Sequence, residues 1–266
     1  MPLLLSPPEN TLWHSYWWRF KDLLMKRFTQ LKDIELVFTD APMGTFSSLE
    51  KARLRAIDYG AQIFIWGRII KDPPGVAFNP IIQSTVNDIV SFDVKYPDLR
   101  EFQHEEEAFA KAFDNISNGL ADALLFGIGL TFHELGKYES SIDCLQRFSS
   151  EKNNPTALYY LANALFSIKK YEEAIRYCDL GIRSWQKDGS KVPKHKYHVL
   201  KFTSLIFLWR ELEDNSLLER ALGELELAEE CDDLCPGDKE IFASQKELVM
   251  DKKEELDSKG IKSRLI

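Results

Sequence analysis

Residues 121–185 read ADALLFGIGLTFHELGKYESSIDCLQRFSSEKNNPTALYYLANALFSIKKYEEAIRYCDLGIRSW. Asn153-Asn154-Pro155 divides the stretch into two halves of the same design. The segments KYESSI and KYEEAI begin at Lys137 and Lys170, 33 residues apart. Self-similarity at that period marks a stacked helical repeat. Gly129, Phe132, Leu135-Gly136, Tyr138 and Leu145 mark the first half. Leu158, Leu161-Ala162, Leu165, Tyr171, Ala174 and Ile182 mark the second. Small residues belong where two helices cross closely (Gly129, Ala162, Ala174), and large ones fill the spaces between (Phe132, Tyr138, Leu145, Leu165, Tyr171).

Two repeats bury too little surface to stand alone, since about three are needed. The chain on either side supplies candidates. Beyond Trp185 a long basic loop precedes residues 197–212 and 216–231, which read as a third, degenerate helix pair. Leu218, Ala221, Leu225 and Ala228 repeat the second-helix pattern. Residues 238–258 read as a terminal helix with Ile241, Phe242, Leu248 and Leu256 inward, as the open end of a stack requires. On the other side a helix is expected over 101–116, closed by Asn118-Gly119.

Further upstream the pattern changes. Residues 34–39 (IELVFT) and 62–66 (QIFIW) are short apolar runs of the buried-strand type. Between them Ser47 or Ser48 can cap a helix over 49–59, and Gly60 stands where a left-handed residue ends it. Strand, helix, strand predicts a parallel crossover unit. Asp72-Pro-Pro-Gly75 predicts a turn, with an antiparallel continuation in one or two strands over 76–92. Residues 10–33 predict an amphipathic helix, with Trp13, Trp17, Phe20, Leu24, Phe28 and Leu31 on one face and a basic opposite face. Packing against protein is the expected use of that face; resting on a membrane surface is the alternative. The expected fold class is therefore α+β, mostly α. Its parts are the aromatic helix (1–33), a small α/β module (34–97) and a helical solenoid with a C-terminal capping helix (98–266).

The repeat residues resemble tetratricopeptide repeats, departing at Ser141 and Gly181, where that family usually has alanine. The stretch AIDYGAQIFIWGRI (56–69) resembles segments in bacterial proteins where a small α/β module precedes such repeats. It is also similar to TolB-type amino-terminal domains, over about 34–89. The tetratricopeptide resemblance implies that the first helix of each unit lines a concave groove. The groove residues it implies are Phe126, Leu130 and His133, then Tyr159, Asn163 and Phe166; the equal alternative is that several of them are core or covered by the preceding α/β module. Phe126, Leu130 and Tyr160 stand where a charged clamp for carboxylate tails would need lysine, asparagine or arginine. A helix or apolar peptide of a partner protein suits such a groove better.

No chemistry beyond binding is legible. At −8 the formal charge excludes a chain built to coat nucleic acid, and no nucleic-acid partner is expected. No apolar run reaches the length of a bilayer span, and residues 1–10 lack the basic start of a signal peptide. A cytoplasmic protein is expected. Cys144 and Cys178 fall at apolar positions. Cys231 and Cys235 have no second pair to complete a zinc set. His195 and His198 share one helical turn without an acidic ligand beside them in sequence, and are expected to face solvent or a partner. The basic strip Lys187, Lys191, Lys194, Lys196 and Lys201 could meet an acidic partner, and lacks the aromatic stacking residues of an RNA-binding surface beyond Tyr197. Neither a dinucleotide fingerprint nor a phosphate loop occurs, so the loop at Asp40 and Met43-Gly44-Thr45 is expected to turn the chain. No cofactor and no metal are expected. The leading reading is a non-enzymatic adaptor; the alternative is a ligand sensor whose α/β module signals through the repeats.

Overall fold

The computed structural model describes residues 2–5, 21–28, 31, 34–38, 49–61, 63–72, 75–84, 91–93, 106–151, 153–185, 192–232 and 234–264. The expectations for Trp13, Trp17 and Phe20, for Asp40 and the 43–45 loop, for 101–105, and for Lys187 and Lys191 lie outside these residues. The chain forms two compact units, Met1–Phe148 and Ser149–Ile266. The first helix pair thus groups with the sheet, whereas the sequence division placed it with the repeats from residue 98.

In the first unit five strands form one sheet in the order β2-β1-β3-β4-β5. They are β1 (Pro2–Leu5), β2 (Glu35–Phe38), β3 (Ile63–Asp72), β4 (Gly75–Ser84) and β5 (Ser91–Asp93). β1 runs parallel to both β2 and β3, with Leu3 opposite Leu36 on one side and Ile63 on the other. It therefore separates two strands that the sequence presents as successive members of one crossover. Four residues are too few to show a period, so this strand left no signal. β3 and β4 form an antiparallel ladder from Ile63↔Ser84 to Asp72↔Gly75, and β5 pairs with β4 through Ile82↔Phe92. Helix α2 (Leu49–Asp58) ends at Gly60, whose φ is +67°. Gly60 N–H donates to Ile57 O and Ala61 N–H to Ala56 O, the paired bonds of a left-handed helix cap.

Residues 21–28 form α1, with Leu24 and Phe28 buried. Its Arg27 pairs with Asp122 and donates from Nη2 to Asn118 Oδ1 at 3.4 Å. Both acceptors lie on α3, which runs unbroken over Glu106–Glu134. The expected stop at Asn118-Gly119 does not occur. A glycine inside a helix costs about 1 kcal/mol. Here Asn118 serves as an acceptor for Arg27 one turn before Asp122, and does not terminate the helix.

α3 is followed by α4 (Tyr138–Glu151), α5 (Pro155–Ser167), α6 (Tyr171–Ser184), α7 (Lys194–Leu212), α8 (Ser216–Glu229) and α9 (Pro236–Arg264). Among the described residues three helix pairs turn through a left-handed residue, the first two with the same pair of cap bonds and the third with a single bond. At the first, Gly136 has φ +69°, Gly136 N–H donates to His133 O and Lys137 N–H to Phe132 O. One period later Lys169 has φ +64°, Lys169 N–H donates to Phe166 O and Lys170 N–H to Leu165 O. At the third, Glu213 has φ +54° and donates to Trp209 O. A left-handed non-glycine residue carries about 1–2 kcal/mol of strain. Lys169→Gly should therefore stabilise the protein by up to about 1 kcal/mol in urea unfolding, and Gly136→Ala should cost a similar amount. An unchanged midpoint for both would reject this strain assignment.

The crossings are tight where small residues were expected. A Cβ on Gly129 would lie 2.7 Å from Leu145 Cγ. Ser141, in place of the usual alanine, is fully buried and donates from Oγ to Gly129 O at 2.8 Å across the first pair. Asn154 caps α5 by accepting from Ala157 N–H at 3.0 Å. α9 packs on α8 through Phe242, Val249 and Leu256, spaced by seven, and the pairs Lys246–Glu226 (3.0 Å) and Lys253–Glu219 (2.7 Å) fix its rotation. Ile241 and Leu248, expected inward, are 54% and 72% exposed. A one-residue error turns a helix face by about 100°.

Candidate interaction surface

The six residues implied as groove positions fall in different surroundings. In the first unit Phe126 and Leu130 are buried, and Phe126 stacks on Phe148 with ring centroids 5.1 Å apart. Both are core, the second of the two readings open for them in the sequence. Ala121, Leu124, Leu125, Ile128 and Phe132 of the same helix are buried too. His133 is half-buried, edge-on to Tyr138 at 5.6 Å, with Nδ1 4.0 Å from Glu134 Oε1.

In the second unit Tyr159, Asn163 and Phe166 are half-buried and recur at i, i+4, i+7 on α5. Tyr159 meets Tyr197 edge-on at 5.2 Å and Tyr160 at 5.6 Å. Its hydroxyl is hydrogen-bonded to the Asn163 side chain, while burial pushes its pKa above the ordinary phenol value. Phe166 contacts Tyr171 at 5.6 Å and Phe207 at 5.5 Å. Tyr171 and Phe207 stack at 5.5 Å, and the Arg210 guanidinium lies 5.3 Å from the Phe207 ring centre.

These contacts bring Tyr197 and Phe207 of α7 beside the stripe of α5. Val199, Thr203, Ile206 and Phe207 are half-buried, and Arg210 is exposed. The sequence assigned no groove position to α7, because the third unit lacks the repeat's marker residues. The spacing i, i+4, i+7, i+8, i+11 was the available signal. Beneath the stripes, Ala162, Cys178 and Leu200 form a buried cluster against which Tyr159, Phe166 and Tyr177 pack. Burial pushes the Cys178 thiol far above its ordinary value and Cys144 up to about 12, so both act as inert apolar groups.

A buried polar network joins α6, α7 and α8. His198 Nδ1 donates to Glu224 Oε2 at 2.8 Å. Lys201 Nζ reaches Glu224 Oε1 at 2.6 Å and Asp179 Oδ1 at 2.7 Å. His198 and His195 are both buried, correcting the expectation that HKYH faces outward. Lys201, read from sequence as part of a strip that could meet an acidic partner, is likewise taken up inside the fold. Glu224 went unmarked, because it adjoins an acidic run that reads as solvated.

Burial alone would raise the Glu224 carboxyl; hydrogen bonds from His198 and Lys201 overcome it and hold it below its ordinary value. Burial would lower Lys201, but its bonds to Asp179 and Glu224 raise it. A depressed carboxyl contributes stability above its unfolded pKa and loses it as pH falls through the folded value. The second unit should therefore lose stability below the ordinary glutamate value of 4.5. Urea titrations from pH 6 to pH 3 should show a smaller loss for Glu224→Gln than for the wild type; equal slopes would count against the network.

Tyr197 locks α7 to its neighbours. Its ring is fully buried against Gly181, and its hydroxyl donates to Pro155 O. Trp185 Nε1 donates to Val192 O at 3.0 Å across the inserted loop. All four cysteines are free thiols; Cys231 Sγ donates to Leu227 O and Cys235 Sγ to Asp238 Oδ2 at 2.9 Å. Among the described residues no group of three histidine, cysteine or acidic side chains is arranged to hold a metal. No described helix is long and apolar enough to cross a membrane.

No family model and no curated protein matches the chain. Among solved structures, the first TPR domain of Spaghetti (RPAP3) bound to the HSP90 peptide SRMEEVD is 20% identical, with 49% of this chain and 94% of that one covered at a TM-score of 0.38. The first TPR domain of human RPAP3 is 21% identical, covering 50% and 95%, at 0.40. The second TPR domain of human RPAP3, in complex with the HSP70 peptide SGPTIEEVD, is 22% identical, covering 48% and 98%, at 0.37. None of them supports the similarity to TolB-type domains, which is not carried further. The TPR-like description of α3–α9 rests on the chain's own period, turns and helix crossings, and these TM-scores add nothing to it.

Proposed function

We propose that this protein is a non-enzymatic interaction adaptor that binds a partner protein or peptide on the adjoining stripes of α5 and α7. One observation carries the reading. Tyr159, Asn163 and Phe166 of α5 keep partial exposure, with Phe166 edge-on to the half-buried Phe207 of α7, over buried side chains. Half-exposed aromatic side chains over a fixed core are the material of binding hot spots. A cytoplasmic setting belongs to the same proposal and is supported by four free thiols, as expected in a reducing compartment.

The test compares intact wild type with the Tyr159→Ala/Phe166→Glu double variant and with Asn163→Lys. Proteins captured from the host are identified, purified and titrated back. The wild type should bind at least about thirtyfold more tightly than the double variant, on the scale of about 2 kcal/mol for one anchoring aromatic. Because Phe166 also packs on Tyr171 and Phe207, Asn163→Lys serves as the milder variant, with its thermal unfolding as the folding control. Equal affinity of all three proteins rejects the face.

A further inference from the structure

The capping helix α9 uses only one of its faces inside the fold. Phe242, Val249 and Leu256 pack on α8, and Lys246 and Lys253 pair with Glu226 and Glu219 of that helix. Ile241 and Leu248, seven residues apart and so on one side of the helix, stay 54% and 72% exposed. Beside them Glu240, Glu247, Asp251 and Glu254 are exposed at i, i+7, i+11 and i+14. At 100° per residue these four carboxylates share an arc of about 60°.

Elsewhere α9 matches its charges. Lys246 and Lys253 meet acids of α8, and Lys252 meets Glu255 at 2.7 Å. Among the described residues the four carboxylates of the arc have no such partner. Over 240–255 no lysine or arginine shares the arc. Lys239 lies about 100° around the helix from Glu240, and Lys259 and Lys262 follow the stripe in sequence. The neighbouring α8 has one exposed cation, Arg220, against exposed Glu219 and Glu226. Glu247 and Asp251 at i, i+4 and Asp251 and Glu254 at i, i+3 therefore repel one another without compensation.

A segment that satisfies both features carries apolar side chains beside lysines or arginines. We propose that the outer face of α9 docks a basic amphipathic helix of a partner protein. Its apolar residues cover Ile241 and Leu248, and its cations run along Glu240, Glu247, Asp251 and Glu254. The charges set orientation and speed of encounter, and the apolar stripe holds the bound state. With the α5–α7 face, the chain then has two docking surfaces of different chemistry.

The test is selection of a phage-displayed random hexadecapeptide library on the intact protein, with counter-selection on Glu247→Lys/Asp251→Lys. Selected peptides are synthesised and titrated at 50 mM and 500 mM NaCl against wild type, the charge-reversed variant, Leu248→Gln and Asn163→Lys. The α9 substitutions fall on exposed residues, so their thermal unfolding should match the wild type. The expected peptides carry lysine or arginine and apolar residues at helical spacing. They weaken at least about tenfold on charge reversal and in 500 mM NaCl. They weaken about fivefold on Leu248→Gln, and bind Asn163→Lys as they bind wild type. Peptides indifferent to Leu248→Gln would reduce the face to unspecific charge attraction and overturn the docked helix. Peptides lost only on Asn163→Lys, or none surviving counter-selection, would remove α9 as a site while leaving the α5–α7 reading standing. Sedimentation of the wild type alone as a dimer, abolished by Glu247→Lys/Asp251→Lys, would overturn the proposal in favour of a second copy of this chain.

Discussion

Gly181→Ala is expected to destabilise the second unit by about 2–3 kcal/mol in urea unfolding, or to prevent its folding, as overpacking of a closed core does. A Cβ built on Gly181 would lie 2.7 Å from Tyr197 Cδ1 and closer still to Cε1. The ring cannot retreat. Tyr197 is fully buried, its hydroxyl is anchored on Pro155 O, and Tyr159 packs edge-on against it. In most helices the same substitution would help, because alanine is the better helix former by about 1 kcal/mol. Gly223→Ala provides that contrast: a Cβ there meets nothing within 4 Å, so it should stabilise. Adding Tyr197→Leu to Gly181→Ala should recover part of the loss, giving a coupling of at least about 1 kcal/mol between the two sites. Gly181→Ala as stable as wild type would show that α6 and α7 are not in this close approach.

Lys201→Met should cost about 2–3 kcal/mol, between an exposed and a fully buried ion pair, because the Asp179 side chain is 37% exposed. It leaves Glu224 and Asp179 without their shared cation; only His198 still donates to Glu224. The loss is thus one of uncompensated charge more than of packing, since methionine fills most of the lysine's volume. The triple variant Lys201→Met/Glu224→Gln/Asp179→Asn removes the charges together and should recover more than half of that cost. A single-variant loss below about 1 kcal/mol, the value of an exposed pair, would place the network in solvent.

What was legible in the sequence follows from how many residues state each feature. The helix pairs were legible because the period of 33, the small residues at the crossings and the turns between helices all repeat. The αL turn at Gly136 is visible as glycine. A left-handed residue at Lys169 and Glu213 is not, because backbone cap bonds hold those residues in a conformation their type disfavours. Gly181 reads as a small-for-small change from alanine, and only the position of Tyr197, 16 residues on, reveals that nothing larger fits. His198, Lys201 and Glu224 each look like surface residues by type; the network exists only when α7 and α8 are placed side by side. Strand β1 was hidden by its shortness. For the candidate face, period alone placed Tyr159, Asn163 and Phe166 on one side of α5. It could not separate them from Phe126 and Leu130, which occupy matching positions in a stretch of α3 where nearly every residue from 121 to 132 is buried.

Hydrogen–deuterium exchange of the intact protein, alone and with its captured partner, tests the α5–α7 face most directly. Slowed exchange across Pro155–Ser167 and residues 199–210, lost with Asn163→Lys, is the expected result. Protection confined to other surfaces, such as the exposed Leu54 and Ile57 of α2 or Ile241 and Leu248 of α9, with α5 and α7 unchanged, would contradict it.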